Sequence, residues 1–196
     1  MNFTVFMTKF KLFPITNSLE KHTTLKAEIA DFLSQKLKTN VFAHEITYKK
    51  DALGMPFFTY RTVTSRSIGI TISISDTRDV WALSITDEGV IGLDIEYIRE
   101  LSSEVLANFL TAKEKKWLKT QPVSYFKKNT VLLWTLKEAY LKTLGVGLRT
   151  HPQSIEIIPD EDGNFAISTQ SNPFKGLLWY NVNTHKNLII SQVIKQ

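Results

Sequence analysis

The chain contains no cysteine. That excludes a disulfide framework, a thiolate metal site and a thiol nucleophile, and it agrees with a reducing compartment. It also lacks any run of about 18 uninterrupted apolar residues, the length a helix needs to cross a bilayer. The opening MNFTVFMTKFKLFP is broken early by Lys9 and Lys11 and does not read as a secretory leader. No internal repeat and no low-complexity segment is evident. These absences point to a soluble cytoplasmic protein with no membrane partner.

What is present is an ordinary globular composition: 196 residues, 43% hydrophobic and 22% charged. That length suits one large domain or two small lobes sharing a core. The net charge is +5, and it is unevenly spread. Between Lys113 and Arg149 nine Lys or Arg residues stand against two Glu. Such a segment favours an anionic partner: a phosphorylated cofactor, an acidic protein or a nucleic acid. Taken alone, it equally describes a solvated basic face.

Residue patterning predicts a mixed fold. Residues 2–7 alternate as a strand. Leu25, Ile29, Phe32, Leu33 and Leu37 recur at helical spacing over about 24–38. Asp51–Pro56 reads as a turn. Ile68–Ile74, Val80–Ile85 and Val90–Ile95 are joined by connections too short for parallel crossovers, which predicts an antiparallel meander. Ser102 can cap a helix reaching Leu110, and Thr111-Ala-Lys-Glu114 has the form of a capping box. A longer helix, from about Val123 or Lys128 to Leu144, should stop at Gly145. The tail returns to strands. The expected class is α+β: two similar lobes, each a helix packed on a small antiparallel sheet, with residues 1–93 and 94–196 as the lobes.

Two segments carry chemistry. In Gly92-Leu93-Asp94-Ile95-Glu96, strand alternation puts Asp94 and Glu96 on one face while Leu93 and Ile95 enter the core. Adjacent carboxylates repel unless a cation or basic groups compensate them, and hard oxygen donors suit magnesium. In the helix Trp134-Thr-Leu-Lys-Glu138-Ala-Tyr-Leu-Lys142-Thr-Leu-Gly145-Val-Gly147, the residues Trp134, Glu138 and Lys142 line one stripe. The glycines that follow allow close backbone approach to a ligand. A third acid, Glu114, is explained by its capping box without any chemistry. Ser73 and Ser75 share a strand face, either as ordinary strand serines or as phosphate contacts. The four histidines have no metal spacing, and Trp81, Trp117 and Trp179 read as packing residues.

GLDIE at 92–96, FLTAKE at 109–114 and WTLKEAYLKTLGVG at 134–147, in this order, resemble the 4′-phosphopantetheinyl transferase superfamily in its two-lobed, surfactin-synthetase-activating form. The resemblance implies Mg2+ held by Asp94, Glu96 and Glu138, with Lys142 against the phosphates of coenzyme A, the co-substrate. It implies an acyl or peptidyl carrier protein as acceptor, and an active site between the lobes of a monomer. Glu138 or Glu114 would take the proton of the carrier serine, and Lys142 and the strand serines Ser73 and Ser75 would meet the cofactor. The pattern departs at three places. Met55 stands where such proteins carry Lys, Ile74 where they carry His, and Thr23 where they carry Arg. All three lie on the nucleotide side, where Lys21, Lys26, Lys49 or Lys50 would have to compensate.

Two rival readings follow from the same residues. One is a divergent, non-catalytic relative that binds a carrier protein without modifying it. The other is a nucleic-acid binder whose Trp117, Tyr125, Phe126 and Trp134 interleave with lysines. Clustered carboxylates on the Trp134 stripe oppose the second, and no nucleic-acid partner is expected. On the transferase reading the basic surface from Lys113 to Lys128 is the dock for an acidic carrier helix, with Phe126 or Trp117 as apolar anchor.

Overall fold

A computed structural model describes residues 8–145, 150–159, 164–169, 176–183 and 187–196. The strand expected at 2–7, together with Val146, Gly147 and His185, lies outside the described residues. The side chain of Trp179 does too.

The first lobe begins with β1 (Thr8–Pro14) and α1 (Ser18–Leu37). The helix starts six residues before the apolar stripe predicts. Asn17 caps it, its side chain accepting the Glu20 N–H, and Glu20 sits in the first turn, where its charge complements the helix dipole. Lys38, left-handed at φ 52°, ends it. Next come β2 (Ile46–Lys50), β3 (Pro56–Tyr60), β4 (Val63–Thr64), β5 (Thr71–Thr77) and β6 (Val80–Thr86). The β2–β3 turn is built by Asp51, whose Oδ1 accepts the N–H groups of Leu53 and Met55. Gly54 adopts φ 85° there.

The second lobe holds β7 (Val90–Tyr97), α2 (Ser103–Phe109), α3 (Ala112–Thr120), α4 (Phe126–Leu144), β8 (Ile155–Pro159), β9 (Phe165–Thr169), β10 (Gly176–Asn183) and β11 (Leu188–Lys195). Ser102 caps α2. Both bonds of the Thr111–Glu114 capping box form at α3, and Gly145, at φ 69°, ends α4. Among the described residues no helix is long and apolar enough to cross a membrane.

The expected meander holds for one step only. β5 pairs antiparallel with β6, but the other edge of β6 is taken by β1, giving the order β1-β6-β5. β7 instead pairs along its whole length with β11 in the sheet β10-β11-β7. Position 93/94, expected as the lobe boundary, therefore falls inside a continuous strand of the second sheet.

The result is a four-layer stack. Leu25, Ile29, Phe32 and Leu33 of α1 pack on Trp81, Leu83 and Ile85 of β6. The opposite face of β6, with Val80 and Ala82, meets Leu93 and Ile95 of β7 and Leu188 and Ile190 of β11. The far side of that second sheet carries α4 through Leu132, Leu136, Ala139, Ile189 and Val193. Each lobe is thus a helix on a small antiparallel sheet, and the two sheets lie back to back.

Candidate active site

The site forms where β7 meets the stripe of α4. Gly92 permits the approach: a Cβ there would lie 2.8 Å from the Ala139 carbonyl carbon and closer still to its oxygen. Gly92, Asp94 and Glu96 share the strand face turned to the helix, while Leu93 and Ile95 enter the core between the sheets. The same close approach brings Lys142 onto Asp94. Its ammonium donates to Asp94 Oδ1 at 2.8 Å and to the Leu93 carbonyl at 2.7 Å. Glu96 accepts from Thr77 at 2.9 Å and from Arg99 at 3.2 Å.

Asp94 is almost wholly buried, at 7% exposed. Burial pushes its carboxyl above the usual range, Lys142 and Ser75 act against this, and the Glu96 charge adds to it. Glu138 is half-buried and makes no hydrogen bond or ion pair with the described residues. Burial first, then the Asp94 charge, pushes it up to about 7, with Lys142 opposing. This pair of acids faces too little positive charge.

The donor set suits a hard divalent ion, and the charge deficit around Asp94 and Glu138 is of the kind such an ion offsets. Among the described residues, however, no three His, Cys, Asp or Glu side chains already converge as a metal cluster. Lys142 holds Asp94, and Arg99 and Thr77 hold Glu96.

Beside the carboxylates opens a cleft of about 380 Å³. Lys142 and Gly145 belong to its wall while Asp94, Glu96 and Glu138 do not, so Lys142, bonded to Asp94, is the link between cleft and carboxylates. Lys21, His22 and Lys50 line the N-terminal side, together with the apolar Leu25, Met55 and Ile74. Of the four lysines expected to compensate the departures, Lys21 and Lys50 face the cleft; Lys26 and Lys49 are not on it. Strand alternation explains Lys49, since Tyr48 and Lys50 share the cleft face of β2. Lys50 makes no ion pair with the described residues, whereas Lys21 reaches Asp76 at 3.4 Å. Thr23 lies off the cleft and back-bonds to the Leu19 carbonyl. His22, read from sequence as incidental, is on the cleft wall; only tertiary packing could reveal that.

Three sequence expectations are corrected. Glu114 is fully buried away from the cleft. Its oxygens accept the N–H groups of Thr111 and Ile157 and pair with Lys137 at 2.8 Å. Lys137 also donates to the Phe109 and Pro152 carbonyls. This arrangement ties α3, α4 and β8 together and engages both Glu114 oxygens within the protein. Ser75 does not face the cleft; its hydroxyl donates to Asp94, while Ser73 borders the cleft and accepts the Leu93 N–H. Trp117 is not an exposed anchor, since it packs edge-on against Phe165 with centroids 5.6 Å apart. Val123, Tyr125 and Phe126 are the exposed apolar residues of that region.

Residues 90–193 match the family described as the 4′-phosphopantetheinyl transferase superfamily. The chain belongs to that superfamily. It is similar to the 4′-phosphopantetheinyl transferase gsp of Aneurinibacillus migulanus, 29% identical over 120 residues, covering 61% of this chain and 46% of that protein. Sfp of Bacillus subtilis is 30% identical over 91 residues, covering 44% and 39%. HetI of a Nostoc species is 25% identical over 158 residues, covering 69% and 65%. The chain thus spans about half the length of the curated relatives it matches. Among solved structures, the holo-[acyl-carrier-protein] synthase of Thermotoga maritima superposes with a TM-score of 0.46 at 17% identity, covering 54% of this chain and 62% of that one.

Proposed function

We propose that the chain transfers the 4′-phosphopantetheine arm of coenzyme A to a serine of an acyl or peptidyl carrier protein. The observation that carries this reading is Lys142, which lines the basic cleft and at the same time holds Asp94. A polyanionic donor in the cleft would therefore place its phosphates beside the carboxylates. Lys21 and Lys50 meet the nucleotide end, and Lys142 the pyrophosphate. Asp94, Glu96 and Glu138 are the residues that would hold Mg2+, which when bound supplies the charge that stabilises a pyrophosphate leaving group. The serine oxygen forms a bond to the phosphorus next to the pantetheine arm, the bond from that phosphorus to 3′,5′-ADP breaks, and the serine proton goes to a carboxylate. With Glu114 buried elsewhere, Glu138 is the acid at the site to which that role falls.

The carrier would approach along the exposed start of α4. Val123, Tyr125 and Phe126 are exposed there, Lys128 lies over the Tyr125 ring, Lys127 follows in sequence and Lys115 and Lys116 are exposed on α3, a basic and apolar combination that matches an acidic amphipathic helix. Phe126 stands 12 residues before Glu138, about 18 Å along the helix axis, so a carrier helix lying along α4 would bridge dock and site. One chain carries both lobes, so a monomer would suffice for this reaction.

The test is the intact mass of an apo acyl carrier protein incubated with this protein, coenzyme A and Mg2+. A gain of one phosphopantetheine group, abolished by EDTA and restored by excess Mg2+, is the expected result. No gain with any of several carriers would overturn the transferase reading and leave the carrier-binding relative in its place.

A further inference from the structure

β5 and β7 run side by side without a backbone ladder between them. Among the described residues the backbone ladder of β5 is with β6 and that of β7 with β11, so each presents an edge to the other. Edge N–H groups buried in a seam need acceptors, and alternate residues of β5 supply them as hydroxyls. Thr71 accepts the Ile91 N–H at 3.1 Å, Ser73 the Leu93 N–H at 3.0 Å and Ser75 the Ile95 N–H at 3.3 Å. The constant offset of 20 residues shows the two strands to be parallel and in register.

At the end of the seam nearest the carboxylates, the hydroxyls turn from backbone to acid. Ser75 donates to Asp94 Oδ1 at 2.8 Å, and Thr77 donates to Glu96 Oε2 at 2.9 Å. Two successive outward residues of one strand thus grip two successive acids of its neighbour. Each bond occupies one oxygen and fixes the carboxylate's rotation; the Glu96 oxygen held by Thr77 also accepts the Tyr97 N–H.

We propose that Ser75 and Thr77 are positioning residues for the acids on β7, orienting Asp94 and Glu96 toward a divalent cation. The seam between the lobes and the metal affinity are thereby one structural device. This rests on the metal-site reading above. Hydroxyls and amides that orient ligating carboxylates commonly contribute ten- to hundredfold in affinity.

The test is Mn2+ titration of the full chain, with and without coenzyme A, followed by the loss of the free-ion EPR signal. Thr77→Val keeps the branched shape and removes the hydroxyl without freeing a backbone N–H. It should weaken Mn2+ binding about tenfold at unchanged melting temperature, and Thr77→Ser should restore the affinity to within about twofold. Ser75→Ala should weaken binding similarly but also lower the melting temperature, because it frees the Ile95 N–H. Unchanged Mn2+ affinity in Thr77→Val, with wild-type binding intact, would overturn the positioning role alone. No Mn2+ binding by the wild type would overturn the metal reading and this one with it.

Discussion

Gly92→Ala is the perturbation that interrogates the site's architecture most sharply. The added Cβ would sit 2.8 Å from the Ala139 carbonyl carbon and 3.0 Å from Thr143 Cγ2. Carbon atoms rest at about 3.5–4.0 Å and the Ala139 oxygen lies closer still, so α4 or β7 must retreat by at least about 1 Å. The obstacle is backbone, which cannot rotate aside as a side chain can. Overpacking of this kind costs about 1–3 kcal/mol, and a backbone clash belongs at the upper end, about 3 kcal/mol. For a chain of this length that lowers the melting temperature by about 6–12 °C. The displacement also separates Glu138 and Lys142 from Asp94, and a misplacement of about 1 Å can cost about a hundredfold in rate. Thermal unfolding by circular dichroism, paired with carrier modification per folded molecule, measures both. A variant melting within about 2 °C of wild type with full transfer would refute the claim that helix and strand touch at this glycine.

Four further expectations follow from the same contacts. Lys50→Glu reverses an unpaired charge on the cleft wall and should raise the KM for coenzyme A about tenfold with little change in kcat; an unchanged KM would take the nucleotide out of this cleft. Lys137→Ala strands Glu114 in the core and should cost about 3–5 kcal/mol, read from urea denaturation. Glu114→Gln, by contrast, should keep transfer per folded molecule within about threefold, whereas a proton acceptor at Glu114 would require near-complete loss. On the first lobe, burial tends to raise Glu28, but bonds to Lys11 and Lys9 outweigh it and hold the carboxyl low. A depressed carboxyl contributes stability above its unfolded value of 4.5 and loses it as pH falls through the folded value. The melting temperature should therefore fall more steeply on acidification below 4.5 in wild type than in Lys9→Met, and equal slopes would contradict this.

Much of this was legible in the residues, for physical reasons that can be named. Caps and boxes are local, so Ser102, the Thr111–Glu114 box and the stop at Gly145 stand where their chemistry predicts. The paired face of Asp94 and Glu96 follows from strand alternation alone. The start of α1 was missed because Leu19 is 76% exposed, so the first turns carry no apolar stripe, and only the Asn17 cap marks them. The partner of β7 was missed because pairing is a non-local choice: Val90–Ile95 follows β6 closely enough for a hairpin, yet its Leu93 and Ile95 are needed between the sheets. Which of the four candidate lysines reach the cleft, the presence of His22 beside them, and the joining of Thr71, Ser73, Ser75 and Thr77 into one hydroxyl seam likewise appear only once the lobes are stacked.

The most direct test of the central claim, that one site joins the basic cleft to the carboxylates, is the intact mass of apo carrier protein after incubation with wild type or Glu138→Ala. It is run beside calorimetric titration of coenzyme A into each protein. The account predicts one added phosphopantetheine group with wild type, none with Glu138→Ala, and coenzyme A binding retained in the variant through Lys21, Lys50 and Lys142. Full modification by Glu138→Ala would contradict it.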